Sequence, residues 1–190
     1  MRAHIPIVLL FCALFFPPAA KAFHIQVHGV VTGHFSGKPE KGVEILLVKD
    51  NIDRESVHTD RRGRYELFID RGYAYELHFK GEGLVTKILS IDAREIPLFP
   101  DVPFFEMEVM VSMIPAVDGY DLSAYEMPVG HAEYKHSVRN LNWETDITKA
   151  RRTELQRVMI DYQRELIARQ RIAQREAEKA GKKRRGTVWF

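Results

Sequence analysis

Seven of the eight histidines (His24, His28, His34, His58, His78, His131 and His136; the eighth is His4) are the residues of this chain best suited to metal binding or proton transfer. His24, Gln26 and His28 fall on one face of an alternating strand. A strand rises about 3.3 Å per residue, so imidazoles four positions apart stand about 13 Å apart, too far to share one ion. Carboxylates are the next resource. Glu106 and Glu108 share a strand face, and Asp60 and Asp70 sit in neighbouring turns. General acid–base work needs two such groups converging in a concave site, and this spacing supplies none. The chain has no Gly-x-Ser-x-Gly elbow, no His-x-x-Glu zinc pair and no phosphate-cradling glycine loop. These residues therefore predict no catalytic site, no resident metal and no cofactor.

The elements that carry them alternate at period two. His24–Thr32 is a first strand, followed by a Gly, Ser, Lys and Pro-rich loop over 33–42. Val43–Lys49 is nearly all apolar, and a polar segment over 50–55 leads to a short strand ending near Thr59. Thr59-Asp60-Arg61-Arg62-Gly63 reads as a tight turn: Asp60 can accept from nearby backbone N–H groups, and Gly63 can take positive φ. Tyr65–Ile69, Tyr75–Phe79 and Val85–Ile91 follow, separated by glycine turns, and a Pro-rich loop leads to one strand over 104–114. Seven strands are enough for two packed sheets. Residues 115–142 show no clear period and read as a surface strap, with a short pairing segment at Ala132–Tyr134.

The first 22 residues read as a signal peptide. Ile5–Phe16 is an uncharged apolar run, Pro17-Pro18 ends it, and Ala20-Lys21-Ala22 is a small-x-small cleavage site. Twelve apolar residues fall short of the ~20 that a retained membrane helix needs. Cleavage would remove Cys12, the single cysteine, leaving a chain without disulfide or thiol chemistry. Cysteine-free export suits a bacterial periplasm or an outer-membrane association.

Five pieces, in order, carry a family resemblance: Gly29-Val30, Gly37-Lys38-Pro39, Gly42-Val43-Glu44-Ile45, Thr59-Asp60-x-x-Gly63-x-Tyr65-x-Leu67 and Gly83-x-Val85-Thr86-Lys87. Together they resemble the carboxypeptidase regulatory-like domain over roughly residues 25–113. Ile91–Pro97 and the Asp101–Met107 run are similar to a bacterial envelope version of it. The resemblance implies a Greek-key, transthyretin-like β-sandwich and a non-catalytic module, with no peptidase activity. Leu84 stands where the family usually has an aromatic residue, a packing variation.

From Trp143 the chain changes character. Residues 23–142 hold six more acidic than basic residues, and residues 143–190 hold six more basic than acidic. No Pro or Gly interrupts residues 131–180, and strong helix formers dominate. An amphipathic basic helix is expected over 143–181, ahead of a mobile basic and aromatic tail over 182–190 ending in Trp189-Phe190. Its apolar stripe is narrow, and Trp143, Ile147, Leu155, Met159 and Tyr162 should dock its first turns on the sandwich or strap. The candidate partner contacts are Arg157, Arg164, Arg169, Arg171 and Arg175, with Lys182, Lys183, Arg184 and Arg185. Their bland alternative is a solvated helix laced by pairs such as Glu154–Arg157 and Asp161–Arg164. The expected function is a non-enzymatic binding or assembly module, with the sandwich as scaffold and the helix as contact element. Another envelope protein or an anionic membrane surface would be the partner, and self-association through the stripe is a further option. Export argues against nucleic acid. The competing reading is a carbohydrate-binding sandwich, for which Tyr73, Tyr75, Phe99 and Phe104 are the available aromatic platforms.

Overall fold

Alternation of buried and exposed residues along almost every strand sorts this chain into two mixed sheets that share one core. The computed structural model describes residues 24–98, 102 and 104–185, apart from the side chains at 53–54, 145–148 and 181–185. The expected signal peptide, Phe99 and Trp189-Phe190 lie outside the described residues.

The smaller sheet is built on β1 (His24–Gly33). β4 (Arg64–Asp70) pairs with it antiparallel, and β7 (Phe105–Glu108) and β8 (Val111–Met113) pair with it parallel. The larger sheet runs in the order β10-β9-β6-β5-β2-β3. Its members are β2 (Glu44–Lys49), β3 (Ile52–His58), β5 (Ala74–Lys80), β6 (Lys87–Asp92), β9 (Gly130–Lys135) and β10 (Asn140–Trp143). Ile25, Val27, Leu67, Ile69 and Met107 from the smaller sheet meet Ile45, Leu47, Leu77, Phe79 and Ile91 from the larger one, all buried. This is the β-sandwich that the alternation predicts.

Three elements differ from the sequence expectation. The segment over 50–55 is mostly strand, because Asp50 and Asn51 both take positive φ (48° and 62°) and make a two-residue hairpin. Positive φ at both central residues is the requirement of a type I′ turn, which Asn and Asp tolerate. The strand over 104–114 is two short pieces, β7 and β8, that keep one register against β1. At the interruption the Val109 N–H bonds back to His28 O at 2.8 Å, and the Tyr65 hydroxyl donates to Val109 O at 2.9 Å. The strap is also more structured than a surface tie. It holds a 3-10 turn (Ser123–Tyr125) and a hairpin, β9–β10, whose first strand lies parallel to β6. The expected pairing segment at Ala132–Tyr134 is the centre of β9. Trp143 ends β10 rather than opening the helix, and Glu144 N–H continues the ladder to His131 O at 2.8 Å.

The turn at 59–63 forms as its residues direct. Asp60 Oδ1 accepts from Arg62 N–H at 2.7 Å and from Arg64 N–H at 2.8 Å, and Gly63 has φ 70°. The tightest backbone approach is at Gly29, where an added Cβ would lie 1.9 Å from Val109 O. The protein is therefore expected to lose roughly 2–4 kcal/mol of stability in Gly29→Ala, read as a shift in the urea midpoint. A neutral result would mean that β7 and β8 are not held against β1 as described.

Candidate functional site

α1 (Thr145–Arg185) is 41 residues long, about 60 Å at 1.5 Å per residue. Its two halves have different surroundings. In the first, Tyr162 is fully buried, and Leu155, Val158, Met159 and Leu166 pack beside it against Val85, Ile114 and Tyr125. The Tyr162 hydroxyl donates to Pro115 O at 2.5 Å. Its ring stacks on Phe35 at 6.1 Å and meets Tyr120 edge-on at 5.5 Å. Three of the expected docking residues, Leu155, Met159 and Tyr162, do dock. Trp143 packs instead with the main core as part of β10, and the side chain of Ile147 is not among those described.

Every described side chain from Ile167 to Ala180 is exposed. Among the described residues the last tie to the body is Arg169, whose Nη1 donates to Asp118 O at 2.7 Å while its Nε pairs with Glu165 at 2.8 Å. That explains a cation at a stripe position, and it commits Arg169 to the fold more than to a partner. Arg164 is 77% exposed and pairs with Asp161 at 3.2 Å, as expected. Glu154 pairs with Arg151 and not with Arg157, because Arg151 also reaches Ala124 O and so lies on the docked side. Arg157, Arg171 and Arg175 are exposed and make no ion pair among the described residues. With Arg164 they follow spacings of seven, seven and four, so the four share one helix face. The helix backbone continues through Lys182–Arg185, where a tail was expected, and the side chains there lie outside the described set.

The polar face of the smaller sheet is the other place where titratable groups gather. His28 Nε2 lies 2.9 Å from Glu106 Oε1, Gln26 donates to Glu66, and His24 lies 3.8 Å from Asp70. Elsewhere His78 pairs with Glu76, His131 with Glu133 and His136 with Glu95. Five of the seven histidines are thus distributed among separate carboxylates, while His34 lies beside Ser112. Among the described residues, no group of three or more His, Cys, Asp or Glu could hold a metal ion. The cleft beside His28 is lined by Gln26, His58, Arg64, Glu66, Glu106 and Glu108, with no hydroxyl nucleophile except Tyr65, whose proton is bonded to Val109 O. Of the aromatic platforms, Tyr75 is buried, and its hydroxyl accepts from Asp70 N–H at 3.0 Å, so it offers no open face. Tyr73 and Phe104 remain exposed, with the Lys49 ammonium 3.3 Å from the centre of the Tyr73 ring.

One charged group lies outside the sequence expectations. Lys87 sits in the inward phase of β6 with Leu89 and Ile91, and it lies opposite the buried Phe79. The signal is present in the chain, since Val85, Lys87, Leu89 and Ile91 alternate. Burial pushes the Lys87 ammonium down from 10.5 to about 8, and no carboxylate pairs with it among the described residues. Its ammonium is 5.6 Å from the centre of the Tyr125 ring. Nearby, burial and then the Lys87 charge hold the His34 ring below its ordinary 6.5, which favours its neutral form.

No family model and no curated protein matches this chain. Solved structures match distantly. A 3-chlorocatechol 1,2-dioxygenase from Rhodococcus opacus 1CP is 12% identical, with a TM-score of 0.39 over 50% of this chain and 61% of its own. The Bacillus anthracis TIE protein is 13% identical (TM-score 0.39, 53% and 20%), and the group B streptococcus pilus 2b backbone protein is 9% identical (TM-score 0.35, 49% and 42%). The chain thus spans less than two thirds of each, and these values do not bear on function. Among the described residues, no helix is long and apolar enough to cross a membrane.

The partly buried Lys87 ammonium has a measurable consequence. Between about pH 8 and 10.5 the unfolded chain binds the Lys87 proton and the folded chain does not, so unfolding free energy rises with pH across that window. Below pH 8 both states are protonated and the full penalty applies. Lys87→Met is expected to stabilise the protein by on the order of 1–3 kcal/mol at pH 7, a gain that fades as the pH approaches 10.5. Urea melts of both proteins at pH 7 and 10 test this; a variant less stable than wild type at pH 7 would contradict it.

Proposed function

We propose that this protein is an exported, non-enzymatic binding module of the bacterial envelope, with a sandwich of the carboxypeptidase regulatory-like type as its scaffold. The contact element is the basic face of α1, and the partner is an acidic surface on another envelope protein. One observation carries this reading: Arg157, Arg164, Arg171 and Arg175 share a face of a helix whose second half stands clear of the body. Such a stripe complements a row of carboxylates, and it steers association at low salt. The leader-like first 22 residues support export.

An anionic membrane is the weaker partner. A helix that lies on a bilayer buries a broad apolar face. Beyond Leu166 this one offers mainly Ile167 and Ile172, 47% and 57% exposed, and five residues apart they point in different directions. The family type rests on the five sequence pieces together with the sandwich that they form. Non-enzymatic action is supported by the pairing of five histidines with separate carboxylates, and by the Tyr65 hydroxyl in the His28–Glu106 cleft being committed to Val109 O.

Crosslinking in whole cells, followed by capture of the tagged protein, tests the proposal. Replacing Arg157, Arg164, Arg171 and Arg175 together by Gln should leave the thermal midpoint within ~2 °C, since all four are exposed. It should also abolish a discrete crosslinked species that wild type gives at low salt and loses at high salt. Equal crosslinking by the quadruple variant would overturn the basic face as the contact, and binding of the purified protein to anionic vesicles would favour the membrane.

A further inference from the structure

Lys87 opens into a cleft of about 800 Å³ between the end of the sandwich and the docked half of α1. The sandwich wall presents Lys87, His34 and Ser112, with His34 Nδ1 3.3 Å from Ser112 Oγ. The helix wall presents Arg152, Gln156 and Gln163 on one face, with Leu155, Met159 and Ile160 beside them. None of the lining residues is acidic. The volume falls within the ~300–1,000 Å³ typical of small-molecule sites.

Two properties of this cleft lack a purpose in the fold. The first is the cation. A desolvated ammonium without a carboxylate costs stability, and proteins normally pair such a group or leave it in water. Here the other basic side chains of the lining are Arg152 and the His34 imidazole, and no carboxylate would oppose an anion entering the cleft. The second is the apolar rim. Met110, on the sandwich side, is 63% exposed, and Ile160, on the helix side, is 43% exposed, so two large apolar side chains flank the opening. A free inorganic anion would use the first property and waste the second.

We propose that this cleft binds an amphipathic monoanion, a long-chain carboxylate whose head lies between Lys87 and Arg152 and whose chain runs along Met110, Met159 and Ile160. The carboxylate accepts from the Lys87 ammonium, from Arg152 and from the Ser112 hydroxyl or Gln156 amide. The chain covers apolar surface that water otherwise wets, at about 0.8 kcal/mol per buried methylene. The site is separate from the basic face that carries the proposed function, because it ends at Gln163 and uses none of Arg164, Arg171 or Arg175.

Calorimetric titration of the full-length protein with dodecanoate below its micelle concentration, at pH 7, tests the site. Dodecanol lacks the charge and acetate lacks the chain, so these two probes serve as controls. Dodecanoate should bind one to one, at least about tenfold more tightly than either control, which corresponds to about 1.4 kcal/mol or more. Lys87→Met should weaken dodecanoate about tenfold or more, and Arg152→Gln severalfold, with dodecanol binding unchanged in both. Dodecanoate binding no better than dodecanol, or undiminished in both variants, would overturn the proposal. Arg152 is exposed, so its variant tests the site whatever Lys87→Met does to folding.

Discussion

Burial of Tyr162 is the interaction on which the outer half of this architecture depends. One aromatic side chain on α1 reaches the end of the sandwich, where its hydroxyl bonds Pro115 O and its ring is held between Phe35 and Tyr120. Three parts of the chain far apart in sequence therefore meet at one residue: the loop after β1, the strap and the helix. A fully buried aromatic is worth several kcal/mol of packing, more than the exposed ion pairs along the helix could supply. Without it, Val85, Ile114 and Tyr125 would face solvent, and the Lys87 cleft would lose its helix wall.

The same anchor divides the helix into parts with different roles. From Leu155 to Leu166 the stripe is partly buried around the fully buried Tyr162, and Arg169 adds a bond to the strap. Beyond that point the described residues add no ion pair, and intrinsic propensity alone sustains an isolated helix weakly in water. A basic stretch docked at one end and exposed from Ile167 to Ala180 is consistent with the proposed contact role, because its position is fixed while its surface remains available. In the smaller sheet behind it, Val109 lies against Gly29 too closely for any side chain to stand there.

Much of this architecture is legible in the residues. Strands such as Tyr65–Ile69 and Tyr75–Phe79 alternate cleanly because one face of each is core. The turn at 59–63 has a residue suited to each conformation. The hairpin at Asp50-Asn51 is hidden, because polar residues on an edge strand look like a loop. The hairpin from Gly130 to Trp143 is only partly visible, since β9 shows one short alternation and takes its partner, β6, from about forty residues away. The docking stripe on α1 is legible, but its receiving surface is not: Phe35 and Tyr120 lie in segments without any period. Lys87 is legible in phase and still easy to pass over, because a lysine in a strand is ordinarily read as solvent-facing.

Hydrogen exchange along α1 tests the division of the helix most directly. Amides from about Val158 to Leu166 should open only with global unfolding, because they stand on the Tyr162 anchor, and those from Ile172 to Ala180 should exchange with almost no protection. Uniform protection along the whole helix in the isolated protein would mean that the arm is already covered. Uniformly fast exchange would mean that Tyr162 does not anchor it, and either result would contradict the account.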